Sequence, residues 1–244
     1  MKGRAEKVRP SFSATGRLIL ETLFPGRCLL CGQWLLLASD HGAPLCAACE
    51  TRLAPLGADL CARCGIQLVS EQGTCLRCRE AEYAFEANIA IFANSGPAKI
   101  LVRSLKFEGR NRLAPFFAGI VSSVLRERGR LFPLIPVPPR PGRRTPDPAE
   151  LIARCLARNH GIRVQRLLSR SGGAEQKSLN FQQRKENLSG QMRLAPWAAP
   201  GMLPDEVVLL DDVFTTGATL DACARALRAA GCKRVYGVTL VIEE

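Results

Sequence analysis

Eight of the chain's 11 cysteines fall into four Cys-x-x-Cys pairs: Cys28/Cys31, Cys46/Cys49, Cys61/Cys64 and Cys75/Cys78. A Cys-x-x-Cys turn aims two thiolates at one cation, and two such turns complete a tetrahedron, so the spacing predicts two zinc ions with four sulfurs each. Pairing in sequence order gives Cys28, Cys31, Cys46 and Cys49 for one ion, and Cys61, Cys64, Cys75 and Cys78 for the other. A cross-brace pairing remains open. Gly32 and Gly65 follow the second ligand of their pairs, where a backbone reversal tolerates positive φ. Four thiolates leave no open coordination position, so these zincs are expected to be structural. Cys155, Cys223 and Cys232 stand alone in apolar or helical surroundings.

A second constellation lies near the other end of the chain, in Val207-Val-Leu-Leu-Asp211-Asp212-Val213-Phe214-Thr215-Thr216-Gly217-Ala218-Thr219. Four apolar residues read as a central strand buried on both faces. Two carboxylates then appear where that strand should emerge, the position ligands take in an open α/β sheet. The small-residue loop Thr215–Thr219 before a helix offers backbone N–H groups, hydroxyls and a helix N-terminus, which together suit a monophosphate. A triphosphate loop would need Gly-Lys-Ser/Thr and a dinucleotide fold Gly-x-Gly-x-x-Gly, and neither occurs. The pattern therefore predicts recognition of a ribose 5-phosphate. Asp211 and Asp212 would accept from the ribose diol directly or through Mg²⁺.

The elements that must position these groups alternate. Asn88–Ala93, Leu134–Val137, Val207–Leu210 and Val235–Ile242 read as strands. Pro97–Phe107, Leu113–Arg128, Ala149–Asn159 and Leu220–Ala230 read as helices, with Gly161 and Gly231 at helix ends. Ile100, Leu101 and Leu105 are expected to face inward. Such alternation implies an α/β fold with a mainly parallel sheet. The expected organisation is a basic segment with a short helix over 1–25, a double zinc ribbon over 26–82 and a larger α/β domain over 83–244.

Charge adds to this picture. The net charge is +12, and residues 99–144 hold 11 Lys/Arg against Glu108 and Glu127. Within that segment Lys99, Arg103, Lys106 and Arg110 recur at helical spacing and form one stripe. A clustered positive field favours phosphate-bearing partners, either a small polyphosphate or nucleic acid. Aromatic residues make up 6% of the chain, few for stacking single-stranded bases. Phe107, Phe116, Phe117 and Phe132 sit in apolar patterns that favour core packing. No run approaches the ~18 apolar residues of a membrane-spanning helix and no signal core follows the basic N-terminus, so membrane insertion is not expected and the cytoplasm is.

On these residues the chain resembles the ComF competence family, which joins a double zinc ribbon to a type I phosphoribosyltransferase-like domain. Asp211-Asp212-Val-Phe-Thr-Thr-Gly-Ala-Thr219 is similar to the family's ribose-phosphate signature, Leu105-Lys106-Phe107 to its Leu-Lys-aromatic element, and Ile135-Pro136-Val137-Pro138 to its proline-flanked strand. Gln176, Leu179, Arg184, Asn187 and Gly190 match the mobile loop that covers the family's site. Two stretches depart from the pattern. Arg143-Arg144-Thr145-Pro146-Asp147-Pro148-Ala149 lacks the usual Gly-Phe-Asn-Gln, and Leu179-Asn180-Phe181 stands where Leu-Ser-Arg is usual.

The resemblance implies 5-phosphoribosyl-1-pyrophosphate with Mg²⁺ as ligand and DNA uptake in natural transformation as context. As a transferase of the glycosyltransferase class, the chain would have Asp211, Asp212 and Lys106 as catalytic residues, with Mg²⁺ and the basic stripe (Lys106, Arg103) stabilising the leaving pyrophosphate while an acceptor attacks C1 of the ribose. The alternative is a non-catalytic protein that retains the pocket and binds single-stranded DNA, or that bridges competence proteins as a scaffold.

Overall fold

The computed structural model describes residues 26–35, 44–142, 145–171, 191–199 and 203–243. Its framework is a four-stranded, wholly parallel sheet. The strands are β3 (Asn88–Ala93), β4 (Leu134–Pro136), β7 (Glu206–Phe214) and β8 (Arg234–Ile242), in the order β3-β8-β7-β4. The register pairs Leu209 with Gly237 and Ile135, and Val238 with Leu210 and Ile89. β7 and β8 occupy the centre, which is why they read as nearly unbroken apolar runs: a central parallel strand has no solvent face.

Two layers cover the sheet. Val208, Leu210, Val238 and Leu240 point into a core completed by Leu101 and Leu105 of α3 (Gly96–Phe107), Phe117 and Val121 of α4 (Leu113–Glu127), and Ile152 and Leu156 of α5 (Pro148–His160). Val207, Leu209 and Val235 point the other way. There they meet Leu220, Ala224 and Leu227 of α6 (Ala218–Ala229), and Leu168 and Met192 from the antiparallel pair β5 (Leu168–Arg170) and β6 (Met192–Leu194). This is the α/β class with a parallel sheet that the alternation predicts.

The cysteine pairs form two small ribbons, each built the same way. The first contains β1 (Gly26–Arg27), β2 (Trp34–Leu35) and the one-turn α1 (Ala47–Glu50); the second contains the one-turn α2 (Leu76–Glu80). In both, the third cysteine (Cys46, Cys75) stands at a helix N-cap and the fourth (Cys49, Cys78) lies inside that helix. Gly32 and Gly65 have φ of +74° and +79°, as the turn after the second ligand requires. The ribbons pack on opposite faces of the sheet. Cys28, Leu45, Cys49 and Leu53 join the α3–α5 core, whereas Cys61, Cys64 and Cys75 join the α6 core.

The segment between the ribbons crosses the open edge of β3. Leu56 donates its N–H to Ile91 O, and Asn88 donates to Arg63 O, so that edge is covered. At the other edge Leu134 N–H donates to Arg163 O and Gln165 N–H to Leu134 O.

Several expectations shift. Ile100 is 51% exposed, and Val102 takes the inward position beside Leu101 and Leu105, because the buried stripe of α3 runs through residues 98, 101, 102 and 105. Phe107 is 67% exposed and is no part of the core, unlike Phe116 and Phe117. The strand expected to end at Leu210 continues to Phe214, since β8 pairs with it up to Ile242. The short helix expected before residue 25, Arg143, Arg144 and the loop residues Gln176, Leu179, Arg184, Asn187 and Gly190 lie outside the described residues.

Candidate functional site

Asp211 and Asp212 occupy the last turns of β7, on the floor of a cavity of about 1010 Å³ at the carboxyl ends of the strands. Alternation sends the two side chains to opposite faces. Asp212 is buried and forms an ion pair of 2.6 Å with Lys106 at the end of α3. Asp211 lies on the α6 side, where its charge is felt by the buried Cys223. Burial, and then the neighbouring Asp212 carboxylate, raise the Asp211 pKa to about 8, against the pull of the Asp212 N–H (2.8 Å to Oδ1) and of Lys106. An acid held this far up is one whose charge lacks compensation. A divalent cation or a diol donating two hydroxyls would supply it.

The loop beyond the acids is shorter than expected: only Thr215, Thr216 and Gly217 are non-helical, while Ala218 and Thr219 already belong to the first turn of α6. Thr216 Oγ1 accepts from Ala218 N–H at 3.3 Å. Gly217 is the α6 N-cap at φ +77°, and a Cβ there would stand 2.7 Å from Phe214 Cζ and 3.1 Å from Tyr83 Cε1. The glycine is thus required by the chain's own packing and not only by the close approach of a ligand. With the Ala218 N–H taken by Thr216 Oγ1, the remaining N–H groups of the first turn make this end of α6 receptive to an anion.

The cavity wall is mixed in charge. Lys99, Arg103, Lys106, Arg140 and Arg170 line it together with Asp147, Asp211, Asp212 and Glu243. Most of the α3 stripe therefore converges on the acids, and exposed Phe107 lines the same space. Asp147 also caps α5, accepting from Ala149 N–H at 3.0 Å and from Glu150 N–H at 3.4 Å. The rest of the basic segment goes elsewhere. Arg126 donates to His160 O, and Arg130 stacks on Tyr236 at 4.0 Å, at the end of the sheet where β8 begins. The single basic cluster of the sequence is thus divided between two ends of the molecule.

Sequence reasoning did not find Arg170, Asn94 or Glu243 as cavity residues, and it marked Arg140 only as part of the basic segment and Asp147 only as part of a stretch that departs from the family pattern. They come from loops and strand ends scattered along the chain, and no local pattern marks them. It also missed Arg77 and Tyr83, which bond the loop from outside the cavity: Arg77 Nη1 donates to Thr215 O at 2.7 Å, and Tyr83 Oη to Thr216 O at 2.9 Å.

The eight paired cysteines gather into two tetrads, Cys28/Cys31/Cys46/Cys49 and Cys61/Cys64/Cys75/Cys78, with the sulfurs of each within 4.8 Å of one another. This is the pairing in sequence order. Cys31 and Cys46 sulfurs are 3.7 Å apart and Cys64 and Cys75 sulfurs 3.8 Å apart. Four sulfurs placed ~2.3 Å from a central Zn²⁺ would be separated by about 3.8 Å, whereas a disulfide would bring a pair to ~2.05 Å. The donor set fits structural zinc. Burial works against ionising these thiols, but backbone N–H donors overcome it at Cys28, brought down to about 6, and at Cys61, brought down to about 7. Cys49 and Cys64 are pushed up to about 12, burial being the main cause. Cys28 and Cys61 therefore ionise readily, whereas Cys49 and Cys64 ionise against the cation.

Comparison with known proteins covers both parts of the chain. Residues 19–79 match the double zinc ribbon domain family. Over 88% of its length the chain is 28% identical to the competence protein ComFC of Streptococcus pneumoniae, spanning 99% of that protein. Over 87% it is 27% identical to competence protein F of Haemophilus influenzae, spanning 95% of that protein. Among solved structures, a purine phosphoribosyltransferase from Pyrococcus horikoshii aligns with 52% of this chain and 80% of its own, at a TM-score of 0.32 and 14% identity. No helix among the described residues is long and apolar enough to cross a membrane.

Proposed function

We propose that this relative of the ComF competence proteins binds 5-phosphoribosyl-1-pyrophosphate together with Mg²⁺ in the cavity above β7, and that it serves DNA uptake in natural transformation. The observation that carries the reading is the placement of two adjacent carboxylates, Asp211 and Asp212, between the N-terminus of α6 and a wall of cations. A groove for nucleic acid would be basic throughout. Here the acids offset most of the positive charge, which suits a ligand that brings both a cation and phosphates.

In this reading the Thr215–Thr219 turn cradles the 5-phosphate, Asp211 and Asp212 accept from the ribose hydroxyls, and Lys106, Arg103 and Arg140 face the pyrophosphate. Mg²⁺, when bound, adds charge stabilisation for the pyrophosphate as it leaves. The available chemistry is pentosyl transfer: an acceptor forms a bond to C1 of the ribose as the C1–O bond to pyrophosphate breaks. The protein's share is positioning and charge stabilisation, with no side chain attacking covalently. The departures at Thr145–Pro148 and Asn180–Phe181 weigh against rapid transfer to free nucleobases.

Calorimetric titration of the zinc-loaded chain tests this reading. Asp211→Ala and Asp212→Ala should each weaken binding by about tenfold or more, the worth of a charged hydrogen bond of ~1.5–3 kcal/mol. Absence of binding to the unsubstituted chain, or equal affinity in both variants, would overturn it.

A second reading rests on the part of the basic cluster that avoids the cavity. Arg126 and Arg128 are exposed and Arg130 lies beside them against Tyr236, so this end offers single-stranded DNA a phosphate-binding surface separate from the pocket.

A further inference from the structure

The second cysteine tetrad and the phosphate-type loop are joined by two direct bonds. Arg77 lies between two ligands of that tetrad, Cys75 and Cys78, and its guanidinium donates to Thr215 O at 2.7 Å. Tyr83, five residues beyond Cys78, donates to Thr216 O at 2.9 Å, and its ring packs against the position a Gly217 Cβ would occupy. The two acceptors are consecutive carbonyls of the only non-helical part of the loop.

Consecutive peptide planes fix where the intervening and following N–H groups point. A carbonyl and the next residue's N–H share one plane and point opposite ways, so with the Thr215 and Thr216 carbonyls turned to the ribbon the amides of Thr216 and Gly217 are directed away from it, while Ala218 N–H is taken by Thr216 Oγ1. The tether itself is anchored at several points. Tyr83 stacks on Phe85 at 4.7 Å between ring centroids, Arg63 donates to Tyr83 O at 2.7 Å, and Ala84 N–H donates to the buried Asp221 carboxylate of α6 at 2.7 Å. The second ribbon and the segment that leaves it thus hold both sides of the turn: Arg77 of the ribbon and Tyr83 just after it on the loop, and residue 84 on the helix that follows.

We infer that Arg77 and Tyr83 are positioning residues for the anion-binding loop, and that the second ribbon, set by its metal tetrad, orients the amides that receive the 5-phosphate. The inference rests on the reading of Thr215–Thr219 as the phosphate cradle. It assigns the second ribbon a part in ligand affinity that its closed coordination shell would not suggest. The first ribbon, on the opposite face of the sheet, has no such contact among the described residues.

Hydrogen exchange on the full, zinc-loaded chain decides it. Tyr83→Phe keeps the ring and removes only the hydroxyl, and Arg77→Ala removes the other donor. Metal analysis giving two zincs in each variant shows that the ribbons are intact. Amide exchange in a peptide spanning 215–219 should then rise several-fold in both variants while exchange in β7 and β8 is unchanged. Arg77→Lys, which still offers a donor to Thr215 O, should restore slow exchange, which a purely structural effect of the substitution would not. Unchanged exchange at the loop in both Tyr83→Phe and Arg77→Ala overturns the inference.

The same variants should bind 5-phosphoribosyl-1-pyrophosphate at least about fivefold more weakly, as expected for loss of one hydrogen bond, neutral in Tyr83→Phe and charge-assisted in Arg77→Ala. If the unsubstituted chain does not bind that ligand, the functional reading fails while the exchange result still decides the tether. If it binds and the variants bind equally well, the tether fails and the reading stands.

Discussion

Asp211 differs from its neighbour in what surrounds it, and this gives it a measurable signature. Its pKa is raised, through burial first and Asp212 second, to about 8. A carboxyl whose folded pKa exceeds its unfolded value of about 3.9 stabilises the fold fully below that lower value and loses the contribution as pH rises through the upper one. Between about pH 4 and pH 8, therefore, the ligand-free chain should lose stability through this group. Asp211→Asn should be indistinguishable from the unsubstituted chain near pH 4 and increasingly more stable toward pH 8, as read by thermal unfolding across that range. An unchanged difference across the range would show that the carboxyl ionises normally. The same carboxyl should release its proton when Mg²⁺ and ligand arrive, so the calorimetric enthalpy near pH 7 should vary with the buffer's ionisation enthalpy. The sequence showed that two acids end a buried strand. It could not show that one would be paired with Lys106 and the other left to bear the cost of burial, because that depends on which face of the sheet each element covers.

At the scale of elements, the legible parts were those with a strict period or a strict spacing. β8 was read to within one residue, whereas β7 was found but cut short at Leu210, where its apolar run ends although the strand continues through Asp211 and Asp212 to Phe214. The Cys-x-x-Cys pairs were legible because metal geometry fixes their form. The inward face of α3 was read with one error, Ile100, since the buried stripe runs through residues 98, 101, 102 and 105 and turns residue 100 outward. Helix α5 has a local determinant that the structure makes explicit. Asp147 accepts from two N–H groups of its first turn, Pro148 follows at the first helical position, and Gly161 ends the helix at φ +66°. Asp147→Ala should cost about 1 kcal/mol in chemical denaturation, the usual worth of such a cap. Since Asp147 also lines the same cavity as Asp211 and raises its pKa slightly, the substitution should at the same time ease ionisation of Asp211. A stability change with no shift in the pH profile of the Asp211→Asn difference would confine Asp147 to its capping role.

For the whole molecule, the division of positive charge between two ends separates its two readings experimentally. Replacing Arg126, Arg128 and Arg130 with Glu should reduce any binding of single-stranded DNA and flatten its salt dependence, which falls with a log–log slope of about −0.7 per phosphate neutralised. The small-molecule cavity, at the opposite end of the strands, should be unaffected. DNA binding that survives this change but is lost in Lys99→Ala and Arg103→Ala would place nucleic acid in the cavity instead. This partition was hidden in the sequence, where all 11 cations run together between residues 99 and 144.

The central place of β8 has a further consequence, for how the molecule comes into being. Its neighbours are β3, from the first half of the chain, and β7, from the last fifth, so the sheet has no middle until residues 234–242 exist. Closing contacts over such separations is slow, whereas each cysteine tetrad closes over short local loops. During synthesis the ribbons can capture zinc and fold while the strands that will cover their apolar inner faces, Leu45 and Leu53 on one and Cys61 and Cys64 on the other, have yet to leave the ribosome. Metal supply is therefore expected to act on the nascent chain, and a ribbon that misses its ion at that moment would leave the core it joins without the apolar residues it contributes.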